Sequence, residues 1–320
     1  MAVNRDKPDK WKADIAQSVD MYNDWFIRFA PEAYRSRRGQ TTEKVEATLQ
    51  ATRDLRDFGV AMLKAHPSIL STLRMATCPP IAVNRLIGLA GVRPNLVKVM
   101  EKDGRLPGRM SKAEVDSTLS KLAEIIWKMA DRDILVWLDR GDEPSQQERY
   151  RAATIIADRL CGSEANPIIR NAQEDRQLKA IAAWLEGQGY AYILPGASRS
   201  HDEMELGTFA FRMNVPVEQE NDGHSVNIPI DTVVMSKTAR PGDMPLLIEA
   251  KSAGDFTNVN KRRKEEATKV NQLRRSYGES VQFILFLCGY FDSTYLGYEA
   301  AEGIDWVWEH RIEDLEKFDL

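Results

Sequence analysis

Glu249 and Lys251 stand two residues apart at the end of an aliphatic run, Leu246 to Ile248, within the stretch PLLIEAKSAGDF. In a strand, side chains at i and i+2 share a face, so a carboxylate and an ammonium would sit side by side where a buried strand ends. Of the seventeen lysines, Lys251 alone has an acidic residue two positions before it. Eighteen residues upstream of Glu249, the strand-like NIPIDTVV carries Asp231 behind Pro229. Two adjacent strands would bring Asp231 and Glu249 to one end of a sheet, with the polar, turn-rich segment from Met235 to Asp243 connecting them.

Two carboxylates held together repel and raise one pKa unless a divalent cation neutralises them. Magnesium suits this role, because one or two carboxylates hold it while water and phosphate oxygens fill its other positions. Lys251 could then orient or activate a water and stabilise the charge developing on a phosphate. Just downstream, KRRKEEATKVNQLRR, Lys261 to Arg275, holds seven cationic residues against two acidic ones, a net +5 in a chain whose formal charge is −4. Lys261, Arg262, Arg263, Lys264, Lys269 and Arg274 are therefore candidates for phosphate contact. Hydrolysis of a nucleic-acid phosphodiester uses all of these parts. The plainer readings are an ion pair at a strand end, and a solvated helix face opposite the stripe Ala267, Val270, Leu273, Tyr277.

The elements that must position these residues are legible in outline. Trp11, Ile15, Val19, Met21 and Trp25 recur at helical spacing, as do Val45, Leu49, Leu55, Phe58, Val60 and Leu63. Capping boxes at Ser111/Glu114 and Ser145/Glu148 start helices, and Pro79-Pro80 and Leu106-Pro107-Gly108 break them. No strand is expected before about residue 160. A helix from Asn171 to Glu186 then stops at Gly187 and Gly189. Strands are expected at Tyr190–Leu194, Thr208–Val215, Val226–Met235, Pro245–Lys251 and Val281–Cys288, with a short one at Tyr295–Tyr298. The basic segment is a helix from Asn258 to Tyr277, closed by Gly278. The expectation is an α+β chain: an all-helical domain over 1–162, then an α/β domain with a mixed central sheet over 163–320.

Composition agrees with a folded protein, with 43% apolar residues in 320. The three cysteines lie far apart and the four histidines form no local pair, so a reduced cytoplasmic chain is expected, without zinc or disulfides. A charged N-terminus and the absence of a long apolar run argue against secretion and against a membrane partner.

Pro229-Ile230-Asp231 followed by Glu249-Ala250-Lys251 resembles the PD-(D/E)XK nuclease motif, with Pro-Ile-Asp in place of the adjacent pair. The longer run EAKSAGDFTNVNKRRKEEA, with SVDMYNDWFIRFAPEAYR and RAATIIADRLCG, is similar to the XamI family of type II restriction endonucleases over nearly the whole chain. That resemblance implies a PD-(D/E)XK core in which Asp231, Glu249 and the Ala250 carbonyl bind Mg2+ and Lys251 is the catalytic lysine. It further implies a glutamate from the first core helix, for which Glu174 is the candidate and Glu186 and Glu205 are rivals. The implied substrate is double-stranded DNA, cut at a short palindrome such as GTCGAC by a homodimer, with a cognate DNA methyltransferase as genetic partner. A repair or recombination nuclease, and a DNA-binding protein with an inactive core, are the alternatives.

In the helical half, NRLIGLAGVRPNLVKVMEKDG has the look of a helix-turn-helix, with Ala90-Gly91-Val92 as the turn and Pro94 opening the second helix. Arg93, Asn95 and Lys98 would then face a groove, and an αα-hairpin within a bundle fits the same pattern. Arg35, Arg37, Arg38, Arg105 and Arg109 are further basic candidates.

Overall fold

In the computed structural model, residues 2–194, 200–218, 225–256 and 259–320 are described, with the backbone alone for 259–263. In chain order the helices and strands are α1 (Pro8–Ala51), α2 (Val60–Ala65), α3 (Leu70–Met75), α4 (Val83–Ala90), α5 (Pro94–Asp103), α6 (Lys112–Lys128), α7 (Trp137–Arg140) and α8 (Gln146–Gly187), then β1 (Ala191–Tyr192), β2 (Thr208–Glu218), β3 (Ser225–Met235), β4 (Leu246–Ala253), α9 (Val259–Tyr277), β5 (Phe283–Gly289), α10 (Ser293–Ala301) and β6 (Asp305–Trp308).

The chain forms two compact units, residues 30–169 and residues up to Phe29 together with 170–320. The N-terminal stretch, which sequence puts with the helical half, thus belongs to the unit of the sheet. Its tie is specific: Asp305 accepts from the backbone N–H groups of Val3 and Asn4, and the Asn4 side chain donates to the Trp306 carbonyl at 2.8 Å.

The helical unit closes around Val45, Leu49, Leu70, Leu73, Leu96, Leu119, Leu122 and Trp137, all buried. The Ser111/Glu114 capping box starts α6 as expected, and Ser145 and Glu148 exchange the same pair of bonds at the start of α8. α4 and α5 are joined by a tight turn in which Gly91 takes a left-handed φ of 59°, and Pro94 occupies the first turn of α5.

In the other unit six strands among the described residues form one sheet in sequence order. β2, β3 and β4 pair antiparallel, while β1 with β2, and β4 with β5 and β6, pair in parallel. Alternation along β4 and β5 sends Leu247, Leu285 and Leu287 to a core shared with Val270 and Leu273 of α9. Ile248, Ile284 and Phe286 face the opposite core, shared with Ile181 and Leu185 of α8. The sheet is thereby sandwiched between helices.

Three local expectations change. The segment expected as a strand at Tyr295–Tyr298 is helical, because Asp292 caps α10 by accepting from the Tyr295 N–H at 2.7 Å and Tyr295, Leu296 and Glu299 are buried on one side. β6, the run DWVW, is a buried edge of the sheet that the sequence reading missed. The helix expected from Asn171 is the second half of α8, which continues through Pro167.

Candidate active site

The pairing of β3 with β4 runs Val234↔Leu246, Val233↔Leu247, Thr232↔Ile248 and then stops. One step further along the same ladder brings Asp231 abreast of Glu249. There the side chain replaces the backbone, and Asp231 Oδ2 accepts from the Ala250 N–H at 2.9 Å. Asp231 and Glu249 thus lie near enough for their charges to act on each other, within their strands where the β3–β4 pairing stops rather than at an end of the sheet.

Glu249 and Lys251 follow Leu247 at strand period, so both turn to the α9 side of the sheet. Lys251 Nζ donates to Glu249 Oε1 at 3.0 Å and lies 3.2 Å from Glu266 Oε1. Lys269 Nζ, from α9, reaches the same Glu249 Oε1 at 2.6 Å and the Pro229 carbonyl at 3.3 Å. Glu249 is 5% exposed and Glu266 is fully buried. These side chains form one cluster: carboxylates from β3, β4 and α9, ammonium groups from β4 and α9.

Burial, and then the charge of Glu249, push the Asp231 carboxyl up to about 6, against the pull of the Ala250 N–H and of Lys251. Burial also draws the Lys251 ammonium down, but Glu249 and Glu266 together outweigh it and hold its pKa above the ordinary lysine value. Lys251 therefore stays charged. Burial raises the Glu266 carboxyl despite the lysine beside it.

The donor set suits a hard divalent cation. Glu249 Oε2 is buried and takes no hydrogen bond from the described residues, and the neighbouring Asp231 is destabilised as an anion by burial and by that same carboxylate. All the candidate ligand atoms are oxygens. Among the described residues no group of three or more His, Cys, Asp or Glu side chains is placed to hold one metal ion.

A backbone irregularity aims Asp231. Arg212 of β2, between the paired residues Phe211 and Met213, has φ of 52°, a left-handed conformation in a non-glycine residue within a strand. On either side of it the inward positions change phase: Ala210, then Met213 and Val215, on β2; Ile228 and Ile230, then Val233 and Met235, on β3. Arg212 also holds Glu174 of α8 at 2.9 Å and Asp175 at 3.2 Å. Glu174 lies close enough for its charge to add to those raising Asp231. Its rivals Glu186 and Glu205 are exposed and are not among the groups acting on Asp231.

Two glutamines from α8 brace the other side of β4. The buried Gln177 amide donates to the carbonyls of Lys251 at 3.3 Å and Phe286 at 3.2 Å, and Gln173 donates to the Ser252 hydroxyl. These residues, with Glu266, escaped the sequence reading. Glu266 had a signal: with Val270 and Leu273 it falls at i, i+4 and i+7 on the buried side of α9, so a glutamate begins an apolar stripe.

The basic candidates separate. Lys269 points into the cluster. Arg274 is committed to a turn, donating to the carbonyls of Glu302 at 2.7 Å and Gly303 at 3.2 Å. Lys264 is exposed, and the side chains of Lys261, Arg262 and Arg263 lie outside the described residues. In the helical unit Arg93, Asn95 and Lys98 are exposed around the first turns of α5.

Comparison with known proteins gives the cluster its context. The family model described as XamI restriction endonuclease matches residues 53–308. Type II restriction enzyme SalI of Streptomyces albus G is 49% identical over 314 residues, 98% of each chain. A crystal structure of protein VC1899 from Vibrio cholerae matches over 87% of this chain and 55% of that one, with 10% identity and a TM-score of 0.29, a likeness that carries no argument. With a family model spanning most of its length and a near-half-identical relative across nearly all of it, the chain belongs to the XamI restriction endonuclease family.

Proposed function

We propose that this type II restriction endonuclease cuts double-stranded DNA at a short palindrome, using Asp231, Glu249 and Lys251 as a magnesium-dependent PD-(D/E)XK centre. The observation that carries the reading is that Asp231 accepts from the Ala250 N–H where the β3–β4 pairing stops, beside Glu249, whose carboxylate holds the Lys251 ammonium. An inactive DNA-binding core would not need that set intact, and the family membership favours restriction over repair.

Asp231, Glu249 and the Ala250 carbonyl would hold the Mg2+, with Glu174 as a further carboxylate at its margin. When bound, the ion neutralises the carboxylate pair and supplies Lewis acidity at the scissile phosphate. Lys251, kept protonated by Glu249 and Glu266, stabilises the negative charge that grows on the phosphate oxygens. Water attacks phosphorus in line with the departing 3′-oxygen, leaving 5′-phosphate and 3′-hydroxyl ends. Gln177 fixes the Lys251 backbone while this happens. The Lys264 side of α9 and the exposed start of α5 supply backbone and groove contacts, so the helical domain serves recognition or dimerisation.

Cutting both strands of a palindrome calls for two centres, hence a homodimer, and a cognate DNA methyltransferase protects the cytoplasmic host DNA. Digestion of a mixed-sequence plasmid with magnesium, and again with EDTA, tests the proposal. Discrete fragments in magnesium alone are expected. A smear would replace restriction by non-specific cleavage, and uncut DNA would end the nuclease reading.

A further inference from the structure

Glu249 Oε1 carries two ammonium groups at once, and the two are held differently. Lys251 is shared between Glu249 and the fully buried Glu266, at 3.0 and 3.2 Å. Lys269 has Glu249 at 2.6 Å and otherwise the Pro229 carbonyl, and among the described residues it has no second carboxylate. Its side chain is also the more exposed of the pair, 23% against 17%. Glu249 Oε2, the oxygen left for a metal, belongs to the same carboxylate, so a divalent ion there would sit within a few ångströms of both ammonium groups. Like charges at that separation in a buried site repel strongly. Lys251 is tethered by Glu266, whereas Lys269 is free to swing out along α9 toward solvent.

We infer that Lys269 and the divalent cation are alternative partners of Glu249, so that this lysine sets the metal affinity of the centre. DNA then raises that affinity by drawing the released ammonium to a phosphate. The inference rests on the nuclease reading above. It makes metal and DNA binding mutually supportive, since a coupling between two ligands is reciprocal. Metal-free protein keeps its carboxylate neutralised by lysine, and the centre is completed on the polyanion.

The test is Mn2+ titration followed by the electron paramagnetic resonance signal of the free ion. Wild type, Lys269→Gln, Lys269→Arg and Asp231→Asn are compared without DNA, then with short duplexes ending in the enzyme's own cut ends. Removing the competing charge should tighten Mn2+ binding about tenfold or more in Lys269→Gln, while Lys269→Arg stays near wild type. The duplex should tighten binding by about tenfold in wild type and by much less in Lys269→Gln. Circular dichroism on all four proteins establishes that each is folded. If Lys269→Gln binds Mn2+ no more tightly than wild type while Asp231→Asn loses it, the lysine has no such role and the nuclease reading stands. If Lys269→Gln keeps the full DNA enhancement, the handover to phosphate is overturned. If wild type takes up no Mn2+ even with DNA, both readings fall.

Discussion

Asp231→Asn should make the metal-free protein more stable while destroying its cleavage. The carboxyl is pushed up to about 6 by burial and by Glu249, against 3.8 for an ordinary aspartate. A group whose pKa is raised by folding favours the native state when protonated; that stability is complete below the unfolded value and is lost as pH rises through the folded one. Between pH 4 and pH 6, therefore, wild type loses stability relative to a variant that cannot ionise. At about 1.4 kcal/mol per pH unit the penalty is about 3 kcal/mol at pH 8 and falls to roughly half of that at pH 5. Asparagine keeps an oxygen to accept the Ala250 N–H, so the change does not sacrifice that hydrogen bond. In EDTA at pH 8 the variant should melt about 5 °C above wild type, with the gap narrowing at pH 5. Millimolar magnesium should raise the wild-type midpoint and leave the variant where it was. A variant that melts no higher than wild type at pH 8, or whose advantage is the same at both pH values, would refute the idea that burial and Glu249 together raise the Asp231 carboxyl in the absence of metal.

Lys251→Ala should slow cleavage by about a hundredfold to a thousandfold, as loss of one charge-stabilising donor does, with affinity for target DNA within a few-fold of wild type; single-turnover cleavage and gel shift measure the two separately, and cutting at the wild-type rate would remove the lysine from the mechanism. Gln177→Leu removes the amide that donates to the carbonyls of Lys251 and Phe286 and should cost about 1–3 kcal/mol in guanidinium unfolding; a neutral result would mean those bonds contribute nothing. Arg93→Ala with Lys98→Ala should weaken DNA binding and lower the salt dependence of log Kd by about one for each phosphate no longer neutralised, and an unchanged slope in filter binding across salt concentrations would take α5 off the DNA.

The β3–β4 pair was readable from sequence because strand period and turn chemistry act locally: Leu246–Ile248 had to be buried, and Glu249 and Lys251 had to share a face. The basic helix was equally plain, ending at Gly278 with φ of 89°. What could not be read was direction. Seven cations on α9 look alike in a sequence, yet Lys269 points inward to Glu249 and Arg274 caps a turn, because the helix is oriented by Val270 and Leu273 against the sheet. Tyr295–Tyr298 has aromatic, strand-favouring composition, and a single capping aspartate decides it as helix. The helix expected from Asn171 begins instead at Gln146 and runs on through Pro167 with the loss of one backbone donor. The N-terminal residues carry no local sign of their destination, since Asn4 and Asp305 meet only through the fold.

The left-handed residue at Arg212 has a consequence for how this chain tolerates length changes. Strand side chains count in twos, and the phase slip at Arg212 and Asp231 lets the outer arm of the β2–β3 hairpin bury one parity of residues while the inner arm buries the other. Loss of Arg212 alone would shorten β2 and leave Asp231 in β3, so one arm would have to pair a residue out of register or Asp231 would have to bulge out of the ladder. Either way the carboxylate of Asp231 loses the place opposite Arg212 that sets its direction. Deletion at an exposed arginine is thus far more damaging than its replacement, because what the position encodes is a count rather than a side chain.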